Sequence, residues 1–95
     1  DLLDSPHVFQ VSHDDAFALG RVIAGEAELL TIAVPFETRR QGLGRHCLSA
    51  FETRARALGA TSSFLEVAED NDAAIALYRG AGYRQVAYPS TGTRD

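Results

Sequence analysis

The chain has 95 residues, a net charge of −4 and an apolar content of 45%. This size fits a single globular domain with a core of its own, and the acidic balance argues against broad binding to nucleic acid or to an anionic membrane surface. No apolar run approaches the length of a membrane span, and one cysteine excludes both an internal disulfide and a cysteine-based zinc site, so we expect a reducing cytoplasm. His7, His13 and His46 lack the spacing of metal ligands, so we expect no metal.

The first third of the chain alternates strand-like segments with short turns. Residues 7–12, 16–24 and 26–34 are rich in apolar and β-branched residues, and turn residues such as Asp14 and Gly25 separate them. Such short connections favour an antiparallel meander. The third segment is apolar throughout after Glu28 until Pro35 stops it, as a strand is when it enters the covered centre of a sheet.

The rest of the chain predicts two helices and two further strands. Apolar residues recur at helical spacing between Leu43 and Leu58, and Gly59 suits the end of that helix. A strand over 62–68 then completes a strand, helix, strand unit, so it should run parallel to the third strand. Asn71 and its neighbours predict the cap of a second helix over 73–81, which Gly82 closes. Residues 83–88 predict a strand, and 89–95 predict a loop.

The most informative stretch joins the third strand to the first helix and reads Arg39-Arg40-Gln41-Gly42-Leu43-Gly44-Arg45. The glycines allow a tight turn and bring backbone amides close to a ligand, while the helix that begins there points its free N–H groups outward. With three arginines beside them, these amides predict a cradle for a phosphate or pyrophosphate. The alternative is a glycine-rich turn that only caps an amphipathic helix. Neither standard nucleotide loop is present, because Cys47 stands where Gly-x-Gly-x-x-Gly needs a glycine and no Gly-x-x-x-x-Gly-Lys-Ser/Thr occurs.

The spacing Arg39-x-x-Gly42-x-Gly44 resembles the coenzyme A pyrophosphate loop of the GNAT N-acetyltransferase superfamily. The segments 64–67, 71–78 and 82–83 are similar to the strand, asparagine-capped helix and Gly-aromatic step of the same superfamily. Within it, the chain most resembles the bacterial enzymes that acetylate the N-terminal alanine of ribosomal protein S18. The resemblance implies a single α/β (α+β) GNAT domain over 1–95: a mixed sheet with an antiparallel N-terminal meander and a βαβ coenzyme A-binding unit.

This resemblance also implies an activity and assigns residues to it. Acetyl-coenzyme A would be the cosubstrate, and a protein N-terminus such as that of S18 would be the acceptor. Glu66 matches the family's general base and Tyr78 its general acid. The residues implied to bind the cosubstrate are Ile32, Ala33, Val34, Arg39, Arg40, Gln41, Gly42, Leu43, Gly44, Arg45 and Asn71. We expect Glu66, in an apolar strand context, to be desolvated, which favours its neutral form.

Each assigned residue also has a purely structural interpretation. Glu66 would be a solvated strand residue, Tyr78 a packing residue with its hydroxyl at the rim, and Asn71 a helix cap. The rival functions are a GNAT enzyme that acetylates a small amine (a polyamine, aminoglycoside or amino acid), a non-catalytic acyl-coenzyme A-binding module, and, more weakly, a nucleotide-binding βαβ fragment. The resemblance also leads us to expect that the chain lacks two helices that family members have before the position of Val8 and a last strand after that of Asp95.

Overall fold

The computed structural model describes residues 7–35, 37, 42–67, 71–87 and 91–94. Three strands form the predicted antiparallel meander: β1 (Val8–His13), β2 (Ala16–Ile23) and β3 (Glu26–Ala33). Ala24 and Gly25, which join β2 to β3, both have positive φ, as a two-residue hairpin turn with the twist of the flanking strands requires. The meander and its turns are therefore confirmed.

The predicted strand, helix, strand unit follows. Helix α1 (Leu43–Ala57) leads into β4 (Ser62–Glu66), which runs parallel to β3 with Glu26 opposite Ser62. The helix ends where the sequence predicts, since Gly59 adopts φ 98° beyond the cap residue Leu58. The buried face of α1 has the spacing of one helical stripe and consists of Leu43, Cys47, Leu48, Phe51 and Ala55.

The second helix and the last two strands complete the sheet. Helix α2 (Asp72–Gly80) is followed by β5 (Arg84–Ala87) and β6 (Thr91–Arg94). In the described part of the chain, six strands form one sheet in the order β1-β2-β3-β4-β6-β5. The prediction that 89–95 is a loop is therefore wrong for β6, which pairs antiparallel with both β4 and β5. Threonines suit a strand, but β6 is fixed in the sheet by its pairing with β4, which is distant in sequence and leaves no local pattern.

The core lies between α1 and one face of the meander. Phe51 of α1 and Phe9 of β1 stack with ring centroids 5.8 Å apart, and both side chains are buried. They meet over Gly20 of β2, where a Cβ atom would overlap the ring of Phe51. Gly20 is thus required by this close approach.

Neither helix of the described residues has the length and apolarity needed to cross a membrane.

Candidate active site

A cleft opens where β3 and β4 separate. The paired positions of these parallel strands end at Leu29 and Leu65, although both strands continue. A bulge in β3 at Leu30 shifts the register with β2 at the same level. Bulges re-aim a strand and often lie beside functional sites. The cleft has a volume of about 240 Å³ and is lined by Leu29, Leu30, Thr31, Ile32, Glu66, Val67, Asn71, Ala74 and Tyr78.

This cleft brings together four of the residues that the sequence singled out: Ile32, Glu66, Asn71 and Tyr78. They come from β3, β4, the cap of α2 and α2 itself. A larger cavity of about 340 Å³ lies at the other end of β4, between Ser62 and Arg56, and no predicted site residue within the described part of the chain lines it. The two catalytic residues predicted from the sequence, Glu66 and Tyr78, therefore both line the smaller cleft.

Glu66 is the last residue of β4, and its side chain is exposed. The desolvated environment that the apolar strand context predicted for it is wrong. Its neighbour Leu65 points into the core, so strand alternation places Glu66 on the opposite face. Solvent also reaches it because β3 has already diverged at this level. Glu66 thus lines the cleft as a solvated carboxylate.

Tyr78 lies in the last turns of α2 and is only partly exposed. Its burial raises the pKa of the phenol above the ordinary value of about 10, because desolvation disfavours the phenolate. The ring contacts Tyr83 edge to face, with centroids 5.9 Å apart and an interplanar angle of 61°. Tyr78 is accordingly a protonated donor at neutral pH.

Asn71 has the structural role that its sequence position predicts. Its side-chain oxygen accepts a hydrogen bond from the backbone N–H of Ala74 at 3.1 Å, which caps α2. Asp72 adds an acidic residue to the first turn of the same helix. The amide nitrogen of Asn71 still carries two donors of its own at the lining of the cleft.

The first turn of α1 forms the described part of the predicted phosphate loop; Arg39, Arg40 and Gln41 lie outside the described residues. Gly42 precedes the helix in the left-handed region, with φ 78° and ψ 9°. The first helical hydrogen bond runs from His46 N–H to Gly42 C=O at 3.0 Å. The amides of Leu43, Gly44 and Arg45 therefore precede the helical ladder, and no acidic residue lies in this first turn.

The two glycines of the loop have different physical roles. Space is open around Gly42, so its left-handed backbone is what requires glycine there. Gly44 is an ordinary helical residue, and a Cβ atom on it would lie 3.4 Å from the Leu77 side chain of α2 and 3.9 Å from that of Val34. The expected tight turn is thus made by Gly42, while Gly44 lies against α2 and the end of β3.

Sequence reasoning did not predict the contact between Arg45 and α2. The guanidinium of Arg45 lies where a side chain at Gly80 would begin, since a Cβ atom there would be 2.7 Å from the Arg45 Nη2. Gly80 is the last residue of α2, and a cation at that end interacts favourably with the helix dipole. A glycine at the end of a helical segment was the only signal for this contact. The phosphate-loop turn and the helix of Tyr78 are therefore in contact.

Residues 5–83 match the family described as the Acetyltransferase (GNAT) family. Over 85 residues the chain is 39% identical to the ribosomal protein bS18-alanine N-acetyltransferase of Escherichia coli strain K12, covering 84% of this chain and 57% of that protein. It is 43% identical over 68 residues to the N-alpha-acetyltransferase RimI of Mycobacterium tuberculosis, covering 72% of this chain and 41% of that protein.

A solved structure is similar over nearly the whole chain. The crystal structure of the ribosomal-protein-S18-alanine N-acetyltransferase from Escherichia coli superposes with a TM-score of 0.78 at 29% identity, covering 95% of this chain and 68% of that one. The fold of this chain thus has a counterpart in the solved structure of that acetyltransferase. The chain spans 57% of the length of the first of the relatives above.

Proposed function

This chain belongs to the GNAT acetyltransferase family, and from that premise we propose that the whole protein transfers an acetyl group from acetyl-coenzyme A to the α-amine of a protein N-terminus. The substrate we propose is the N-terminal alanine of a ribosomal protein of the S18 type. The proposal rests on one arrangement of three features. These are the edge of β3 from which β4 diverges, the first turn of α1, which has no side-chain cap, and the cleft lined by Glu66 and Tyr78.

The described residues fit acetyl-coenzyme A. The amides of Leu43, Gly44 and Arg45 would hold the pyrophosphate, because they precede the helical ladder and no carboxylate in the first turn competes with an anion. Ile32, Ala33 and Val34 lead from the cleft toward that turn, where Val34 lies beside Gly44. A strand edge from which β4 has diverged suits an extended pantetheine arm. Bound acetyl-coenzyme A supplies the activated acetyl thioester.

The cleft residues would move two protons. The Glu66 carboxylate accepts, through water, the proton that the amine loses as its nitrogen forms the amide bond. The Tyr78 hydroxyl donates its proton to the sulfur that departs from the acetyl carbon, and it recovers a proton from solvent. Because burial raises the pKa of Tyr78, its hydroxyl stays protonated at neutral pH.

The exposure of Glu66 favours an N-terminal amine as the substrate. A peptide α-amine has a pKa of about 7.7 to 8.0 and a lysine side chain one of about 10.4, so the α-amine is neutral far more often at pH 7. A solvated carboxylate is a sufficient acceptor for such an amine, whereas a polyamine or lysine substrate would need a stronger base. The same reasoning ranks polyamines below N-terminal peptides as substrates.

Free-thiol release from acetyl-coenzyme A tests the proposal on the whole protein that carries this sequence. The acceptors are a peptide with the S18 N-terminus, another peptide beginning with alanine, their N-acetylated forms and spermine. We expect turnover on the free peptides alone, and a loss of kcat on the order of 100-fold or more in both Glu66→Gln and Tyr78→Phe. Turnover on spermine alone would assign a small amine instead. Thermal stabilisation by acetyl-coenzyme A without turnover on any acceptor would identify a non-catalytic binding module.

A further inference from the structure

Both helices end in the same backbone motif. In α1 the N–H of Ala60 donates to the carbonyl of Ala55 at 2.9 Å, and in α2 the N–H of Tyr83 donates to the carbonyl of Tyr78 at 3.0 Å. Left-handed glycines, Gly59 and Gly82, precede the two donors, which completes a Schellman motif in each helix. This motif brings the side chains of its first and last residues together. In α1 that pair is two alanines, whereas in α2 it is the two tyrosines.

The outer tyrosine of this pair is fixed by a second bond that the motif does not require. Tyr83 is only 5% exposed, and its hydroxyl lies 2.8 Å from the hydroxyl of Ser63 inside the protein. Ser63 belongs to β4, three residues before Glu66. A buried hydroxyl is tolerated only when it is hydrogen bonded, so the ring of Tyr83 has one well-defined position.

That position determines where the ring of Tyr78 can lie. The two rings are in edge-to-face contact, with centroids 5.9 Å apart, and Tyr78 also lines the cleft. A phenylalanine at position 83 would fill the same volume, but its ring would have no bond to β4. The hydroxyl of Tyr83 thus ties the helix that carries Tyr78 to the strand that carries Glu66.

We propose that Tyr83, anchored by Ser63, is a positioning residue that holds the Tyr78 hydroxyl in the cleft. The proposal rests on the proposed function, in which Tyr78 donates the proton. Tyr83 itself touches neither substrate nor cosubstrate in this assignment. It acts through Tyr78, since proton transfer depends on the donor lying within hydrogen-bond reach of the departing atom.

Tyrosine ionisation tests this coupling without reference to activity. Phenolate absorbance near pH 10 follows tyrosine ionisation, and this sequence contributes three tyrosines to it. The step that disappears in Tyr78→Phe belongs to Tyr78. We expect Tyr83→Phe and Ser63→Ala each to shift this step to lower pH, because a loosened Tyr78 ring gains water and its pKa falls back toward the ordinary value.

Steady-state kinetics supply the second readout. We expect kcat to fall on the order of tenfold in either variant, with KM for acetyl-coenzyme A changed by less than about twofold, because the ground-state site stays intact. The double variant Tyr83→Phe/Ser63→Ala should be no worse than Tyr83→Phe, since both changes remove the same bond. Phe9→Leu is the matched control, because it weakens the core at a residue that does not line the cleft and should leave the Tyr78 step unmoved.

Two results would overturn the proposal. A Tyr78 step and a kcat that stay at the parent values in Tyr83→Phe, with only the melting temperature lowered, would reduce the Ser63–Tyr83 bond to a core contact. The same result in Ser63→Ala would also overturn the proposal, and this variant serves as the test if Tyr83→Phe does not fold. If no amine is acetylated by the parent protein, the proposed function fails, yet the Tyr78 step still decides whether Tyr83 positions its neighbour.

Discussion

The two helices end alike but begin differently, and the difference reflects what holds each in place. Helix α1 buries five side chains in the core, whereas α2 buries none completely. In return, α2 has the side-chain cap of Asn71 and the acidic Asp72 in its first turn, while α1 begins at Gly42 with no side-chain cap and no acidic residue. A helix anchored by its core can leave its first amides open to a ligand, and a helix on the surface cannot.

This division suits the two tasks that we propose for the site. The open end of α1 lies where an anion is expected, and stability from Phe51 and its neighbours compensates for the missing cap. Helix α2 presents Tyr78 to the cleft and is held by local bonds at both ends and by contacts from the first turn of α1, through Gly44 and Arg45. Changes to α1 should therefore act on the whole fold, while changes to α2 should act locally.

Truncation of the core anchor of α1 should have the largest effect. Phe51 is fully buried, so Phe51→Ala should lower the free energy of unfolding by about 3 to 5 kcal/mol. Leu77 of α2 is partly buried, and Leu77→Ala should cost only about 1 to 2 kcal/mol. Urea unfolding of both variants measures the two values. Equal losses would contradict the view that only α1 is anchored by the core.

Removal of the α2 cap should have an intermediate and local effect. Asn71→Ala deprives the Ala74 N–H of its acceptor, at a cost of about 1 kcal/mol. Asn71→Asp keeps an acceptor at the same place and is the matched control. Amide hydrogen exchange should show faster exchange in the first turn of α2 and no change in α1 in the alanine variant. Faster exchange in both helices would mean that α2 is not an independent local unit.

Much of this architecture is predictable because its signals are local. The three meander strands, α1 and α2 are delimited by turn residues, glycines and the Asn71 cap, and all of them lie within a few residues of the predicted bounds. The glycine and tyrosine pattern also indicated the family that the comparisons show. Signals of this kind depend on backbone conformation within one turn, which the sequence encodes directly.

The features that were predicted wrongly or not predicted all involve contacts between residues distant in sequence. Strand β6 was predicted as a loop although it is held in the sheet by β4, a strand distant in sequence. The exposure of Glu66 follows from the divergence of β3 and β4, which no local pattern encodes. The contact between Arg45 and Gly80 depends on how α1 and α2 approach each other. Local composition determines the elements, and tertiary packing determines the environments of the site residues.

Substitution of Gly80 should have a smaller effect on stability, and this effect should depend on Arg45. Gly80→Ala adds helix propensity worth up to about 1 kcal/mol in a helix interior and less at this end, but its Cβ atom displaces the Arg45 guanidinium. In an Arg45→Ala background the same change should stabilise more, by about 0.5 kcal/mol or above. Thermal unfolding of the four proteins in this cycle measures the coupling. If the two changes in the free energy of unfolding were strictly additive, the position of the Arg45 side chain on α2 would contribute nothing to stability.

The smallest effect should be the alkaline dependence of stability that Tyr78 contributes. Burial raises the folded pKa of Tyr78 above the unfolded value of about 10, so its contribution is complete below pH 10. Above that pH the unfolded phenol ionises first, the folded state then holds more protons, and stability falls until the pH passes the folded pKa. The decline should therefore be shallower in Tyr78→Phe than in the parent protein when unfolding is measured at several pH values around and above 10. Because α2 buries no side chain completely, this decline should be reported first by probes in α2, and a decline that begins in α1 would contradict the separation of the two helices.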